Sequence, residues 1–476
     1  IDYEINKNHS LGFTYNMRYN KSFNSILDVT NWQNGALVNR TVNNENAQTR
    51  NHSFNLNYEI KTDSIGSKLT SNVSYLWFNR DKMSTNESFP LNNDKKNKYS
   101  ALQQSVPQII NNYAANIDYL KKTAKGNTWL MGVSYNHTNT DNDTRQDDIE
   151  NGVIINNENQ TNHFIYKERI LGAYLTYERK ISEKFSGKIG TRYEMTRSSG
   201  EILGKTSFDR NYNNLLPYLN LNYAISSDHN LTYSFSSRIR RPRFWELNPS
   251  RTYFTPNNYT QNNPFVLASK FYNQELSYMY KNAFFANLSF NYVKDASNQI
   301  PLQGTVTGPE KDENGNTVIV TRRFLRYIRT NYGDNKQFGL TLGMNKSWFK
   351  EIWTTNYSVN LGYNIYKGSV TEDPTSVPVA GQTEVVEPYV INFKNFNISG
   401  NINNTVRLSS NKDWFLGVNY YYGSKVKIES GTLGVRQSFD VSLKKIMGNW
   451  TFVAEVYDVF NQNYNSIQGI QPNGSY

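Results

Sequence analysis

Two absences narrow the structural class of this 476-residue chain. It contains no cysteine, so no disulfide framework of the kind that supports small secreted domains can form. It also contains no run of roughly 18 apolar residues, the length that a membrane-spanning helix needs. A hydrophobic fraction of 37% and a mean hydropathy of −0.71 agree with that absence. Any continuous apolar surface must therefore come from strands or helices that have one apolar face and one polar face.

Residues suited to catalysis or metal binding are few and scattered. No short spacing typical of metal ligands relates the five histidines, His9, His52, His137, His163 and His229. The acidic run at residues 141–150 lacks the spacing of a calcium loop, so we interpret it as a solvated loop rather than a cation site. The segment EKDENGN at residues 310–316 is typical of a hairpin tip with an Asn-Gly turn. No carboxylate pair suggests a glycosidase, and we predict no enzyme, no metal site and no cofactor.

The chain is basic, with 51 Lys and Arg against 40 Asp and Glu and a formal charge of +11. A basic balance suits nucleic acid or an anionic surface. The basic residues are spread through turns and polar strand positions and do not cluster on one helix. We therefore expect no nucleic-acid partner.

The chain is rich in aromatic residues, with 35 Tyr and 25 Phe, and apolar and polar residues alternate along most of its length. This period of two predicts β-strands with one apolar face. About 17 such segments occur, each near the length that a tilted strand needs to cross a bilayer. They lie at residues 11–19, 54–60, 73–77, 113–119, 129–135, 171–177, 185–193, 219–223, 230–237, 276–280, 284–292, 338–344, 357–365, 396–402, 414–420, 439–443 and 450–456.

Short and long connections alternate between these segments, as in an outer-membrane barrel with turns on one side and loops on the other. A soluble sandwich would also explain the alternating faces, but it has no reason to keep that parity. Residues 322–346 fit the scheme only as one long strand with a bulge near residues 332–335. We therefore predict an all-β fold, a transmembrane antiparallel β-barrel that occupies residues 1–476. Because an odd number of strands cannot close it, we expect a fragment that is incomplete at both ends.

The longest polar connection follows the strand at residues 230–237 and contains RRPRFWELNP, then NPF after a spacer. These motifs resemble the signature of TonB-dependent receptors, and more closely the outer-membrane barrel proteins of Bacteroidota. The opening IDYEINKNHSLGFTYNMRYN and the late VYDVFNQNY are also similar to this branch. The positions that carry the signature are Arg238, Arg240, Arg241, Pro242, Trp245, Leu247, Asn248, Pro249, Asn263, Pro264 and Glu275. The sequence departs from the pattern at Asn262 and at residues 267–270.

The resemblance implies a barrel of about 22 strands with a plugged lumen, so that the plug, the first strands and the final strand lie outside this chain. It implies a receptor in the Gram-negative outer membrane that takes up a substrate too large for porins. Its partners would be outer-membrane lipid, its own plug, a TonB-type energy-coupling protein and, in some assemblies, a surface lipoprotein. Two alternatives stay open, namely a structural barrel within a larger secretion or envelope complex, and a passive porin.

The arginines at residues 238–243 allow two interpretations. They hold carbonyl groups of the loop or carboxylates of the plug, or they capture an anionic ligand at the mouth of the lumen. The loop aromatics Trp245, Tyr253, Phe254 and Tyr259 either pack within the loop or stack on a ligand. We favour the structural interpretation for both groups, with ligand or plug contact as the alternative.

Overall fold

A computed structural model describes residues 1–33, 36–90, 100–150, 152–158, 160–311, 316–375, 381–428, 431–464, 466–471 and 474–475. In chain order the strands are β1 (Asp2–Asn6), β2 (His9–Gln33), β3 (Ala36–Lys61), β4 (Lys68–Pro90), β5 (Ser100–Ser105), β6 (Gln108–Lys122), β7 (Thr128–Glu150), β8 (Val153–Asn156), β9 (Asn162–Lys180), β10 (Phe185–Ile202), β11 (Lys205–Ala224), β12 (His229–Arg240), β13 (Arg251–Thr255), β14 (Asn258–Gln261), β15 (Ser269–Tyr280), β16 (Phe284–Lys311), β17 (Thr317–Trp348), β18 (Trp353–Val370), β19 (Thr383–Val386), β20 (Tyr389–Arg407), β21 (Trp414–Gly423), β22 (Val426–Ile428), β23 (Gly431–Leu433), β24 (Arg436–Met447), β25 (Trp450–Val456), β26 (Ile467–Gln471) and β27 (Gly474–Ser475). A short helix, α1 (Phe244–Leu247), lies between β12 and β13.

The long strands form one antiparallel sheet in which sequence neighbours pair. The order is β1, β2, β3, β4, β6, β7, β9, β10, β11, β12, β15, β16, β17, β18, β20, β21, β24 and β25. Each segment predicted from the alternation lies inside one of these strands, which confirms the all-β barrel class. β1 is an additional short strand that the alternation did not predict. Among the described residues, no helix is long and apolar enough to cross a membrane.

The apolar face of the sheet points outward. Leu288 is 56% exposed and Ile189 is 59% exposed, although both lie in long strands that pair with a neighbour on each side. In a soluble sandwich these side chains would be core. Aromatic pairs lie beside the short turns. Trp348 and Trp353 are paired on either side of the turn between β17 and β18, and their rings are 6.3 Å apart. Outward apolar residues with aromatics at the strand ends are typical of a lipid-facing barrel wall.

Three of the predicted long loops are in fact hairpins, namely those between β2 and β3, between β10 and β11, and between β16 and β17. β2 and β3 pair from His9 with Ile60 to Gln33 with Ala36, across residues that we predicted to be a loop. Beyond residue 19 the regular apolar alternation of β2 is interrupted, yet the backbone groups of β2 and β3 still satisfy one another by continuing the ladder. The EKDENGN tip lies partly outside the described residues, where Lys311 pairs with Thr317 on either side of it.

The predicted long strand with a bulge is confirmed by β17. Its register with β16 shifts around Ala296, which pairs with Gly333, while Val293 pairs with Asn335. Asp295 has a φ of 54° and Gly333 a φ of 147°. Gly333 also faces Gly368 of β18, where two backbones approach too closely for a Cβ. The bulge therefore needs glycine at this point.

The β16–β17 hairpin exchanges its neighbours at this bulge. On the side of the short turns, β16 pairs with β15 and β17 with β18. Beyond the bulge, β16 pairs with β19 and β17 pairs in parallel with β14, which also pairs with β13. Since β14 precedes β15 and β19 follows β18, the two edges of the hairpin have swapped sides. We refer to β13, β14, β19 and the part of the β16–β17 hairpin beyond the bulge as the mouth sheet.

Candidate functional site

The connection between β12 and β15, residues 241–268, crosses from one side of the barrel to the other. We refer to it as the signature loop. At its far end Gln104 of β5 donates to the Arg251 carbonyl oxygen at 2.8 Å, and Asn43 of β3 donates to the Phe254 carbonyl oxygen at 3.3 Å. At its near end β14 pairs with β17. Its backbone polar groups are therefore satisfied by strands that are far apart in the sequence.

A buried carboxylate holds the start of the loop together. Glu246 in α1 is 1% exposed, and its Oε1 lies 2.7 Å from Arg240 Nη2 and 3.1 Å from Arg329 Nε. Its Oε2 accepts a hydrogen bond from the Arg243 backbone nitrogen at 2.9 Å, which satisfies a donor at the helix start. One carboxylate thus joins β12, α1 and β17.

Arg241 makes a second ion pair, with the barrel wall. Its Nη2 lies 2.6 Å from Glu194 Oε2 and 2.8 Å from Thr196 Oγ1, both on β10. Glu194 also lies 2.5 Å from Arg192 Nε. Arg240 and Arg241, adjacent in the sequence, are therefore both engaged with carboxylates of this chain, whereas the structural interpretation named loop carbonyl groups or plug carboxylates as their partners.

A third charged group joins the loop to the mouth sheet. Arg251 Nη2 lies 2.9 Å from Glu384 Oε1 on β19. Arg326 of β17 is fully buried, and its guanidinium lies 2.9 Å from Asp373 and 3.5 Å from Glu384. Gln261 Oε1 accepts from both Arg251, at 3.1 Å, and Arg326, at 3.3 Å. Two cations face two anions, so the buried group is neutral as a whole.

Aromatic residues of the loop pack against the mouth sheet. Tyr259 is 3% exposed, and its ring lies 5.4 Å from that of Tyr253 and 6.2 Å from that of Phe324. The Phe254 ring lies edge-on to Tyr327 at 6.3 Å. Burial raises the pKa of Tyr259 to about 12, although the Arg251 guanidinium opposes the shift. These three loop aromatics are occupied by neighbours within the chain.

The Asn and Pro positions of the signature shape the loop. Pro249 follows the end of α1, where a proline cannot continue a helix. Asn248 Oδ1 accepts from the Ser250 backbone nitrogen at 3.1 Å, which closes the next turn. Asn263 Nδ2 donates to Thr330 of β17 at 3.2 Å. The Pro264 carbonyl oxygen accepts from Arg210 Nη2 at 2.8 Å.

The remaining predicted positions do not join these contacts. Arg238 lies on β12 with an exposed side chain, and Pro242 precedes the start of α1. Trp245 is 42% exposed on α1. Glu275 lies on β15, where its Oε1 accepts from Ser277 Oγ at 2.8 Å. The structure thus gathers Arg240 and Arg241 around carboxylates but places Arg238, Trp245 and Glu275 apart from them.

We expected the acidic run at residues 141–150 to be a solvated loop. That expectation is wrong, because the run is part of strand β7. Three of its carboxylates, those of Asp141, Asp147 and Asp148, have partners within the chain. Asp141 lies 2.8 Å from His163, Asp147 2.9 Å from Arg145, and Asp148 accepts from Asn157 at 2.6 Å. Within the described part of the chain, no three His, Cys, Asp or Glu residues are grouped as metal ligands.

The other histidines bind neighbouring strands. His9, His52 and His229 each lie within hydrogen-bonding distance of a tyrosine hydroxyl. His137 Nδ1 lies 3.0 Å from the Glu168 carbonyl oxygen. Each of these contacts therefore ties a histidine to the barrel wall.

A polar cavity of about 470 Å³ lies inside the barrel beside the bulge. Arg240 and Arg329 line it together with amide side chains of β16 and β17. Sequence reasoning identified Arg240 but missed Arg329, because the position of Arg329 depends on the exchanged edges beyond the bulge. The inward parity of Asn291 and Gln337 was visible in the alternation, but their common cavity was not.

The sequence model of the outer membrane protein beta-barrel family matches residues 60–476. Among solved structures, the copper transporter OprC is 12% identical with a TM-score of 0.50, over 96% of this chain and 71% of OprC. The ferric-catecholate import receptor Fiu from K12 E. coli is 10% identical with a TM-score of 0.48, over 97% and 74%. The FrpB iron transporter from Neisseria meningitidis is 12% identical with a TM-score of 0.48, over 98% and 79%. No curated protein matches the sequence.

Proposed function

Because the chain belongs to the outer membrane protein beta-barrel family, and is thus an outer-membrane barrel rather than an enzyme, we propose that it is the barrel of a TonB-dependent receptor. In this proposal it takes up a solute too large for porins. Its plug and first strands precede this chain, a final strand follows it, and a TonB-type protein supplies energy. The closer resemblance to the Bacteroidota branch is part of the same proposal.

The observation that carries the proposal is the path of the signature loop. A solute too large for porins needs a wide lumen, whereas residues 241–268 contact β3, β5 and β17 across this one. A solute that passes must displace these contacts, and such a displacement needs energy from binding or from a coupled protein. The fold shared with the copper transporter OprC is consistent with transport and leaves the solute open.

The proposed roles of the signature residues follow from their contacts. Arg240, Arg241, Asn263 and Pro264 hold the loop in place through Glu246, Glu194, Thr330 and Arg210. Trp245, Arg238 and Glu275 are exposed, and they are the signature positions best placed to meet a solute or the plug. Tryptophan can stack on a flat or sugar-like group, and Arg238 can bind an anion.

The test is genetic and electrical. A screen of labelled solutes that porins exclude identifies the solute that the native host takes up through this protein. Deletion of its gene and deletion of the coupling protein should each abolish uptake of that solute. The purified full-length protein should show no sustained conductance in planar bilayers. Persistent conductance would identify a porin instead. Normal uptake in the deletion strain, with the protein recovered only inside a larger envelope complex, would identify a scaffold.

A further inference from the structure

The cavity beside the bulge has the composition of an anion site. Its inward-facing walls come from β12, β15, β16, β17 and β18, and its polar lining includes Arg240, Arg329, Asn291, Asn298, Asn335 and Gln337. No carboxylate is among the described residues that line it. The site lies beyond the outward apolar segment of β17, on the side of the long hairpins, where a solute from outside would arrive.

The charge around this cavity is not balanced. Arg240 and Arg329 share the single carboxylate of Glu246. Burial lowers the pKa of the Arg329 guanidinium; Glu246 opposes that shift, whereas Arg240 and Arg243 add to it. An arginine remains protonated under such conditions. One positive charge in excess therefore faces the cavity.

Two amide oxygens in the wall have no hydrogen-bond partner among the described residues. Asn335 is only 7% exposed, and its Nδ2 donates to the Tyr332 hydroxyl at 2.7 Å while its Oδ1 has no hydrogen-bond partner. Asn291 is similar, since its Nδ2 donates to Gln337 at 3.1 Å and its buried Oδ1 has no partner. A buried acceptor without a donor costs roughly 1–3 kcal/mol. An occupant that donates hydrogen bonds would remove that cost once the side chain turns its oxygen toward the cavity.

We propose that this cavity binds a carboxylate or phosphate group of the transported solute, with Arg240 and Arg329 as its cationic ligands. Hydroxyl or ammonium groups next to the anion donate to Asn291 and Asn335. The volume of about 470 Å³ suits an anionic group together with its neighbouring atoms rather than a bare ion. This inference rests on the proposed uptake function and specifies the chemistry of the solute.

The experiment measures binding of citrate and inorganic phosphate to the purified full-length protein by calorimetry, with glucose as the neutral control. Both anions should bind, glucose should not, and added salt should weaken the binding. Gln337→Glu keeps the acceptor that Asn291 uses but cancels the excess charge, so anion affinity should fall roughly tenfold or more. Arg329→Gln removes one of the two cationic ligands and should abolish anion binding.

The matched control is Arg323→Gln, which removes an exposed arginine from β17, the strand of Arg329, but outside the cavity. Its affinity for the anions should equal that of the wild-type protein. Equal losses in Arg323→Gln and Gln337→Glu would overturn the proposal, because they would show general attraction to basic residues of the barrel. Failure of the wild-type protein to bind either anion, as when a carboxylate of the plug fills the cavity, would overturn it too.

The two proposals fail separately. Binding is measured on purified protein without energy, and uptake is measured in cells with and without the coupling protein. A barrel that imports its solute but binds no anion refutes only the anion site. A barrel that binds anions but imports nothing refutes only the uptake function.

Discussion

Replacing Glu246 by alanine should release the signature loop while leaving the barrel folded. The change removes the carboxylate that Arg240, Arg329 and the Arg243 backbone nitrogen share. The barrel strands keep their own ladders on both sides of the loop. The effect should therefore be a local opening of residues 241–268.

The magnitude follows from burial. Breaking a fully buried ion pair costs roughly 3–5 kcal/mol. The Arg240 side chain is 41% exposed, so solvent screens it and its share is below about 1 kcal/mol. The Arg329 side chain is only 18% exposed and is left without its carboxylate. We expect about 3 kcal/mol in total, or roughly a 100-fold increase in the opening equilibrium of the loop.

Hydrogen exchange measures that equilibrium directly. The backbone amides of Asn248 and Asn263, which donate within the loop, should lose about two orders of magnitude of protection. Glu275→Ala is the control, because that carboxylate is exposed and, among the described residues, accepts from Ser277 of its own strand alone. Unchanged protection in Glu246→Ala would refute the reasoning, and so would an equal loss along β12 and β15.

Three further changes test other parts of the fold. Gly368→Ala would place a Cβ against the Tyr332 carbonyl oxygen and should lower the free energy of unfolding in urea by about 3 kcal/mol or more. In Gly187→Ala the nearest atom to the new Cβ belongs to the Leu221 side chain, at 3.2 Å, so the loss should be below about 1 kcal/mol. Leu288→Arg, on the lipid side, should lower the folding stability measured in liposomes by roughly 2–4 kcal/mol, and Asn287→Arg, on the lumen side, should lower it far less. Equal losses in the two variants would show that the lipid and lumen faces are wrongly assigned. Burial raises the pKa of Tyr259 from 10.0 to about 12, so the folded mouth sheet should lose stability as the pH rises from 10 to about 12. A tyrosine absorbance titration of the folded protein in which every tyrosine ionises near pH 10 would contradict this prediction.

The paired arginines show why a signature motif need not be a ligand site. Arg240 and Arg241 follow each other at the end of β12 and point to different carboxylates, Glu246 in the loop and Glu194 on β10. Each fixes one side of the loop where it leaves the barrel wall. Proline at 242 then keeps the following residues out of the strand ladder, since it has no backbone N–H to donate. The motif thus specifies where the loop turns inward.

The sequence by itself determined the barrel wall. Alternation places every second side chain on one face, so the apolar residues of segments such as 284–292 and 338–344 had to point together toward lipid. It also specified the short turns and the continuous β17, because an extra strand would have broken the parity of the connections. These features depend on neighbours in the sequence, which periodicity can reveal.

The tertiary structure decided everything at the mouth. The regular alternation of β2 and β3 stops beyond the membrane, so nothing local distinguishes that hairpin from a loop. Ile300, Leu302 and Ile328 of the β16–β17 hairpin are apolar, but their spacing does not reveal which elements bury them. The pairing of β14 with β17 and of β19 with β16 depends on an edge exchange at one bulge. Arg329 therefore reaches Glu246 across 83 positions of the chain, and Gln104 reaches Arg251 across 147. Such contacts arise when the wall curves and brings distant loops over one lumen, and no local pattern encodes that meeting.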